Sequence, residues 1–211
     1  MNGIRFMIRY IFIIIFITSC GNLPIAYIQN FSSVNNVIFG YKDFKITNDI
    51  FDSYEYSFIK VRFGRGAHSI LILAYVNNDI YEWIGEDDVR IFTKNGRVIK
   101  TLGLNQNLEI KNSRNMLLPE SLNSYESVNL YSPDVYSVTM SSKFFSEDAQ
   151  LEKLESKIEV NRIEEHFEIS SIGWKETNYY FVNSSTNMVE ETFQHIHPRL
   201  PLMKVEYYYK F

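Results

Sequence analysis

Apolar residues along this chain fall into many short runs separated by polar turn residues, rather than into long helical stripes. Tyr56–Phe63, Ser69–Val76, Asp79–Ile84 and Val89–Thr93 each have the length and composition of a strand. The run Ser69-Ile70-Leu71-Ile72-Leu73-Ala74-Tyr75-Val76 is apolar almost throughout, between Gly66 and Asn77-Asn78, as in a strand buried on both faces. Between Arg90 and Thr101 the pair Asn95-Gly96 predicts a type I′ hairpin turn, because both residues tolerate positive φ. Alternation puts Ile91 with Thr93, and Val98 with Lys100, on opposite sets of faces. A second hairpin is predicted at Tyr179–Val182, a turn over 183–187, and Met188–Phe193, with Asn187 taking the left-handed conformation. Val128–Ser142 and Ile158–Ile172 have strand-like composition. Between them Glu147–Lys157 is charged; the Leu151/Leu154 and Lys153/Lys157 spacings predict one short surface helix there. Alternation from Leu202 to Lys210 reads as a closing strand. These elements predict an all-β antiparallel barrel-like or sandwich domain with at most one short surface helix.

The N-terminus follows a different pattern. Arg5 and Arg9 precede the apolar stretch Tyr10–Ile17, then Thr18-Ser19-Cys20-Gly21. That order is a secretory signal peptide, with small residues where a peptidase reaches the backbone. The apolar run is too short to span a bilayer comfortably, which takes about 20 residues. Cys20, the only cysteine, resembles the lipobox cysteine of bacterial lipoproteins, which is diacylated, cleaved and acylated again. Residues 1–19 are therefore expected to be the signal peptide, 20–36 a lipidated tether rich in Asn and Ser, and 37–211 a single periplasmic β domain. Two or three acyl chains make anchoring stable where one would not. Gly21, rather than Asp, after the acylated residue points by resemblance to the outer membrane.

Composition narrows the function classes. The formal charge of −4 falls to −6 when Arg5 and Arg9 leave with the signal peptide, which offers no footprint for nucleic acid. With 45% hydrophobic residues, 15 Tyr and 16 Phe, the chain has material for a folded β core. One cysteine allows no internal disulfide. Glu86-Asp87-Asp88 is the densest carboxylate group, but adjacent residues cannot face each other across a glycosidic bond, so a solvated turn is expected. His195 and His197 lack an evident third ligand, so no metal or cofactor is expected. There is no Gly-x-Ser-x-Gly elbow, and Phe63-Gly64-Arg65-Gly66 reads as a turn rather than a phosphate loop. For carbohydrate, aromatic faces and planar polar groups matter. Tyr81, Trp83, Trp174 and Arg97 are the candidates for glycan or partner binding.

The two hairpins carry a resemblance. Trp83-Ile84-Gly85-Glu86-Asp87-Asp88-Val89, then Ile91 through Thr93, the Asn95-Gly96-Arg97 tip and Thr101-Leu102-Gly103-Leu104, resemble the YjbF family of group 4 capsule polysaccharide lipoproteins. Asn178–Val182, Pro198-Arg199-Leu200-Pro201 and Val205-Glu206 follow the order of that family's last motifs, and Tyr41–Thr47 matches its start. Lys42 stands where the family usually has Pro, Asn187 where it has a turn Gly, and 105–170 matches poorly. The resemblance implies a barrel-like fold and a non-enzymatic role in capsule or exopolysaccharide assembly or export, through glycan or secretion partners. Two rivals stand beside it: a glycan-modifying hydrolase, and a carrier holding lipid or a lipid-linked sugar in a barrel cavity.

Overall fold

The computed structural model describes residues 41–111 and 124–211. The expected signal peptide, Cys20 and the 20–36 tether lie outside the described residues. Lys42–Phe211 forms one compact unit.

Twelve strands run through the described residues. They are β1 (Phe58–Phe63), β2 (His68–Asn77), β3 (Ile80–Ile84), β4 (Arg90–Lys94), β5 (Arg97–Leu102) and β6 (Asn107–Lys111), then β7 (Ser124–Tyr131), β8 (Val135–Lys153), β9 (Ser156–Ile169), β10 (Trp174–Asn183), β11 (Val189–Gln194) and β12 (Met203–Tyr208). Each pairs with the next in sequence, and β12 pairs antiparallel with β1, closing an up-and-down barrel. Closure leaves no free edge around the ring, the usual hazard of an antiparallel sheet. The Asn95-Gly96 turn has φ of 50° and 76°, and Asn187 has φ of 55°, so both predicted hairpins form as their turn chemistry requires.

Two expectations are corrected. Glu147–Lys157 is not a helix but the far end of the β8–β9 hairpin, where Leu151 faces Ile158 across the strands. Leu154 and Glu155 make its turn with φ of 46° and 62°, a conformation in non-glycine residues that composition does not announce. The short helix lies elsewhere: α1 (Asn48–Ser53), capped by the Thr47 side chain, which accepts from the Ile50 N–H. Strand β2 is not buried on both faces. Only Leu71 is buried, because β1 pairs with β2 through His68–Ile72 alone and the second half of β2 runs past it.

The hairpin's tip is fastened to the barrel. Leu154 packs with Ile46, Phe51, Phe58 and Tyr208, and Lys153 donates to the Glu190 carboxylate and the Tyr207 carbonyl. Beside it the Asp43–Thr47 strap is held by Lys60, whose Nζ reaches Asp43 Oδ1 at 3.0 Å, the Phe44 carbonyl at 2.6 Å and Glu206 at 3.1 Å.

The interior is packed from wall to wall. Ile59, Val61, Leu71, Trp83, Ile91, Val205 and Tyr207 belong to one continuous apolar cluster. Strands β5 and β11 lie on opposite sides of the ring, yet they bond directly. The Val98 N–H donates to Gln194 Oε1 (2.9 Å), and Gln194 Nε2 (2.9 Å) and the Tyr207 hydroxyl (2.8 Å) both donate to the Gly96 carbonyl. A Cβ at Gly96 would sit 2.5 Å from Val189, so only glycine lets the hairpin tip approach this wall.

Candidate functional site

The four residues singled out by sequence do not form one surface. Trp83 is fully buried, and its Nε1 donates to Thr93 Oγ1 at 2.9 Å. Tyr81, half-buried, stacks on it at 6.0 Å. Arg97, read from sequence at a hairpin tip, is interior: its two terminal nitrogens donate to Glu126 and Glu165, each at 2.5 Å. Trp174, at the start of β10, is half-buried edge-on against Phe167 at 4.9 Å.

The Arg97 group is a closed polar network. Glu165 also accepts from Ser142 Oγ (2.9 Å), the Tyr180 hydroxyl (2.6 Å) and Asn178 Nδ2 (3.0 Å). Burial alone would lower the Arg97 pKa, but Glu165, Tyr180 and Glu126 outweigh it and raise it. Burial and the Glu165 carboxylate push the Tyr180 hydroxyl well above its ordinary value. Glu126 and Glu165 are the paired buried carboxylates of this network, and Arg97 lies between them with no room for a sugar. Glu86-Asp87-Asp88 forms an exposed turn before β4. His197 is buried with Nδ1 accepting from the Arg199 N–H, while His195 is half-buried 3.6 Å from Glu176.

A concave feature lies on the outside of the same strands. Residues alternating with the buried set face outward and enclose an open cleft of about 760 Å³. Across it Lys143 pairs in register with His166, His166 with Thr177, and Glu168 with Lys175. Lys175 Nζ lies 2.9 Å from Glu168, and it, together with the Ser170 hydroxyl, holds that carboxyl below its ordinary value. The His166 ring contacts Thr177 Oγ1 at 3.2 Å and Glu164 at 3.3 Å, and meets Phe145 edge-on at 5.2 Å. Tyr125 in the cleft wall and Phe145 beside it are both more than half exposed. Such a surface offers ring faces to the C–H face of a sugar and hydroxyl, imidazole and ammonium groups to its hydroxyls. Tyr125, Lys143, Phe145 and His166 were not picked out from sequence. Period-two alternation along β7, β8 and β9, read from Ser124, Ser142 or Glu165, would have put them outside.

A family model described as "Group 4 capsule polysaccharide lipoprotein gfcB, YjbF" matches residues 31–207. The chain belongs to the YjbF family. Membership makes it a lipoprotein of the capsule polysaccharide class, and hence a membrane-anchored protein. Its similarity to the uncharacterized lipoprotein GfcB of Escherichia coli (strain K12) is 27% identity over 138 residues, 62% of this chain. This YjbF-family chain spans 63% of the length of that curated relative. The crystal structure of the hypothetical lipoprotein YmcC from Escherichia coli (K12) matches with a TM-score of 0.69 at 21% identity, covering 85% of this chain and 95% of that one. That likeness shows the fold, an all-β antiparallel barrel with one short helix, as the strand pattern predicts.

Proposed function

We propose that this YjbF-family chain is an outer-membrane lipoprotein, acylated at Cys20, whose 37–211 domain faces the periplasm. There it assists capsule or exopolysaccharide assembly or export by binding glycan or secretion partners, without catalysing a reaction. The observation that carries the reading is the family match across most of the chain. The open cleft beside Tyr125 and Phe145 supplies a place for glycan to bind. Trp174, next to the cleft residue Lys175, is assigned to its margin, and Tyr81 remains a candidate contact at the barrel end. Arg97 acts from behind the cleft, bonded to Glu126 and Glu165 on the strands that present it, while Trp83 is tied to Thr93 in the core away from it.

The rival readings fare worse on particular observations. A hydrolase needs two carboxyls converging on an accessible bond, and the Glu126–Glu165 pair is sealed around Arg97. A carrier needs an apolar lumen, and the β5–β11 bonds cross the space where one would lie.

The test measures cell-associated and secreted polysaccharide in wild type, a clean deletion, Cys20→Ala, and a Tyr125→Ala/His166→Ala double variant. Loss of polymer in all three altered strains is expected. Unchanged polymer in the deletion strain, with no paralogue compensating, would refute the capsule role. Loss in the deletion but not in the cleft variant would move binding away from this cleft.

A further inference from the structure

One end of the barrel carries a second kind of surface. Strand β2 loses its β1 partner after the Phe58–Ile72 pair and continues with β3 alone to Asn77. On this projecting hairpin Tyr75 and Val76 are 67% and 55% exposed. Successive strand residues point to opposite faces, so each side of the projection presents one exposed apolar side chain, Tyr75 beside Glu82 and Val76 beside Tyr81. Val76 faces Tyr81 across the hairpin, and Tyr81 lies 6.5 Å from the ring of Phe211, which is 74% exposed. Phe211 in turn meets Tyr209 at 5.4 Å. Tyr56, 58% exposed, joins the same rim. Its neighbour Ser57 accepts from the Leu73 N–H (2.9 Å) through its carbonyl and from the Lys210 N–H (2.8 Å) through its hydroxyl. Rings therefore run without a break from the sealed Trp83 and Tyr207 to an exposed aromatic rim. Contiguous exposed apolar surface of this kind marks an interaction site.

We infer that this rim, Tyr56, Tyr75, Val76 and Phe211, rests against the phospholipid headgroup layer of the membrane that holds the lipoprotein. The inference rests on the lipid anchor proposed at Cys20. Twenty-one peptide links separate Cys20 from Tyr41, a reach of at most roughly 70 Å, so the bilayer is within range of the rim throughout the protein's life. Tyrosine and phenylalanine bodies with polar neighbours suit the interface, where Tyr is enriched in membrane proteins. The hairpin turn itself is Asn78-Asp79, which holds the tip at headgroup depth and out of the hydrocarbon. The contact is not electrostatic. The chain is acidic, and the nearby cation Lys210 lies on the Phe51 ring at 3.8 Å and 3.8 Å from Asp52. Resting on the rim tilts the barrel into a set orientation, where a tether alone would let it tumble.

Cys20 is the only cysteine and is consumed by the lipid, so a Tyr75→Cys or Val76→Cys substitution adds a single thiol for an environment-sensitive fluorophore. The mature lipoprotein is reconstituted in phosphatidylcholine vesicles containing brominated lipid, with Tyr125→Cys in the outer cleft as the comparison. Flotation of the vesicles reports anchoring separately. The expected result is flotation, a blue-shifted emission at 75 and 76, and quenching several-fold stronger than at 125, unchanged by high salt. Flotation with equal, weak quenching at all three positions overturns the rim contact and leaves the anchor standing. Failure to float overturns both. Quenching that requires phosphatidylglycerol and disappears in salt, or a shift produced by purified capsular polysaccharide without vesicles, also overturns it.

Discussion

Strands β7 to β10 show two faces with nearly the same chemical vocabulary and opposite uses. Inward, Ser142, Glu165, Asn178 and Tyr180 close around the buried Arg97. Outward, one residue away along the same strands, Ser141, Lys143, His166 and Thr177 line a cleft open to solvent. Carboxylates meet cations on both faces: Glu165 meets Arg97 inside and Glu168 meets Lys175 outside. Burial sets their value. An interior ion pair must be complete, because an unpaired buried charge costs several kcal/mol. An exposed pair is worth little and can exchange its partner for a ligand. The inner face therefore specifies the barrel, and the outer one is free to bind.

Removing the guanidinium is the most direct way to break the inner face. Arg97→Met leaves Glu126 and Glu165 buried without a counter-charge and is expected to cost on the order of 3–5 kcal/mol, a fall of roughly 6–20 °C in Tm. Adding Glu126→Gln and Glu165→Gln to the same chain should recover part of that loss in denaturant unfolding, because the penalty comes from the stranded charges. A smaller effect is expected for Tyr180→Phe, which removes one hydroxyl from Glu165 and should cost about 1–3 kcal/mol by the same measurement.

Acid probes the charged groups on the barrel's outer wall. Burial would raise Asp43 and Glu206, but Lys60 and Lys204 on both, with the Tyr208 hydroxyl on Glu206, hold these carboxyls below their ordinary values. Lys100 does the same for Glu109. Such groups bind protons less readily folded than unfolded. The stability they add is complete above their ordinary values, of which the highest is 4.5, and is lost as pH falls through the lowered folded ones. Glu191 runs the other way: burial raises it, so its contribution is complete below 4.5 and fades as pH rises through the raised value. Among the carboxyls the expected contribution is a decline in unfolding free energy below pH 4.5, set by four lowered groups, Glu168 included, against one raised; a flat profile down to pH 3 would count against these contacts.

The cleft should give the smallest effect on stability and a large one on function. Tyr125→Ala and Lys143→Ala are expected to change stability by within about 0.5 kcal/mol, while reducing polymer export in cells. A large fall in Tm for either would show that the outer face also holds the barrel together.

How much of this was legible beforehand follows from the range of each signal. Asn95-Gly96 announces its turn because the requirement for positive φ is local. The last strand was visible for the same reason, through alternation from Leu202 onward. The fate of Arg97 was not, because its partners Glu126 and Glu165 lie 29 and 68 residues away. The β8–β9 turn misled for a related cause: Leu151 is a strand residue and Leu154 a turn residue, so their helical spacing is coincidental. Strand β2 looked doubly buried because an apolar run does not say whether a neighbour accompanies it to the end. The cleft was invisible until alternation could be anchored on known inward residues such as Glu165.

The seam between β1 and β12 sets the order in which this molecule can be made. Eleven of the twelve strand pairs join neighbours in the chain and can zip locally as polypeptide appears. The twelfth joins the first strand to the last, in register from Phe58–Tyr208 to Phe63–Met203. A chain delivered amino end first holds β1 unpaired on one side until Tyr208 has emerged, with an open sheet and an exposed edge for the whole of that interval. The barrel is thus a clock as well as a scaffold. Any helper that shields it in transit has β1 to guard, and its task ends when the final strand arrives.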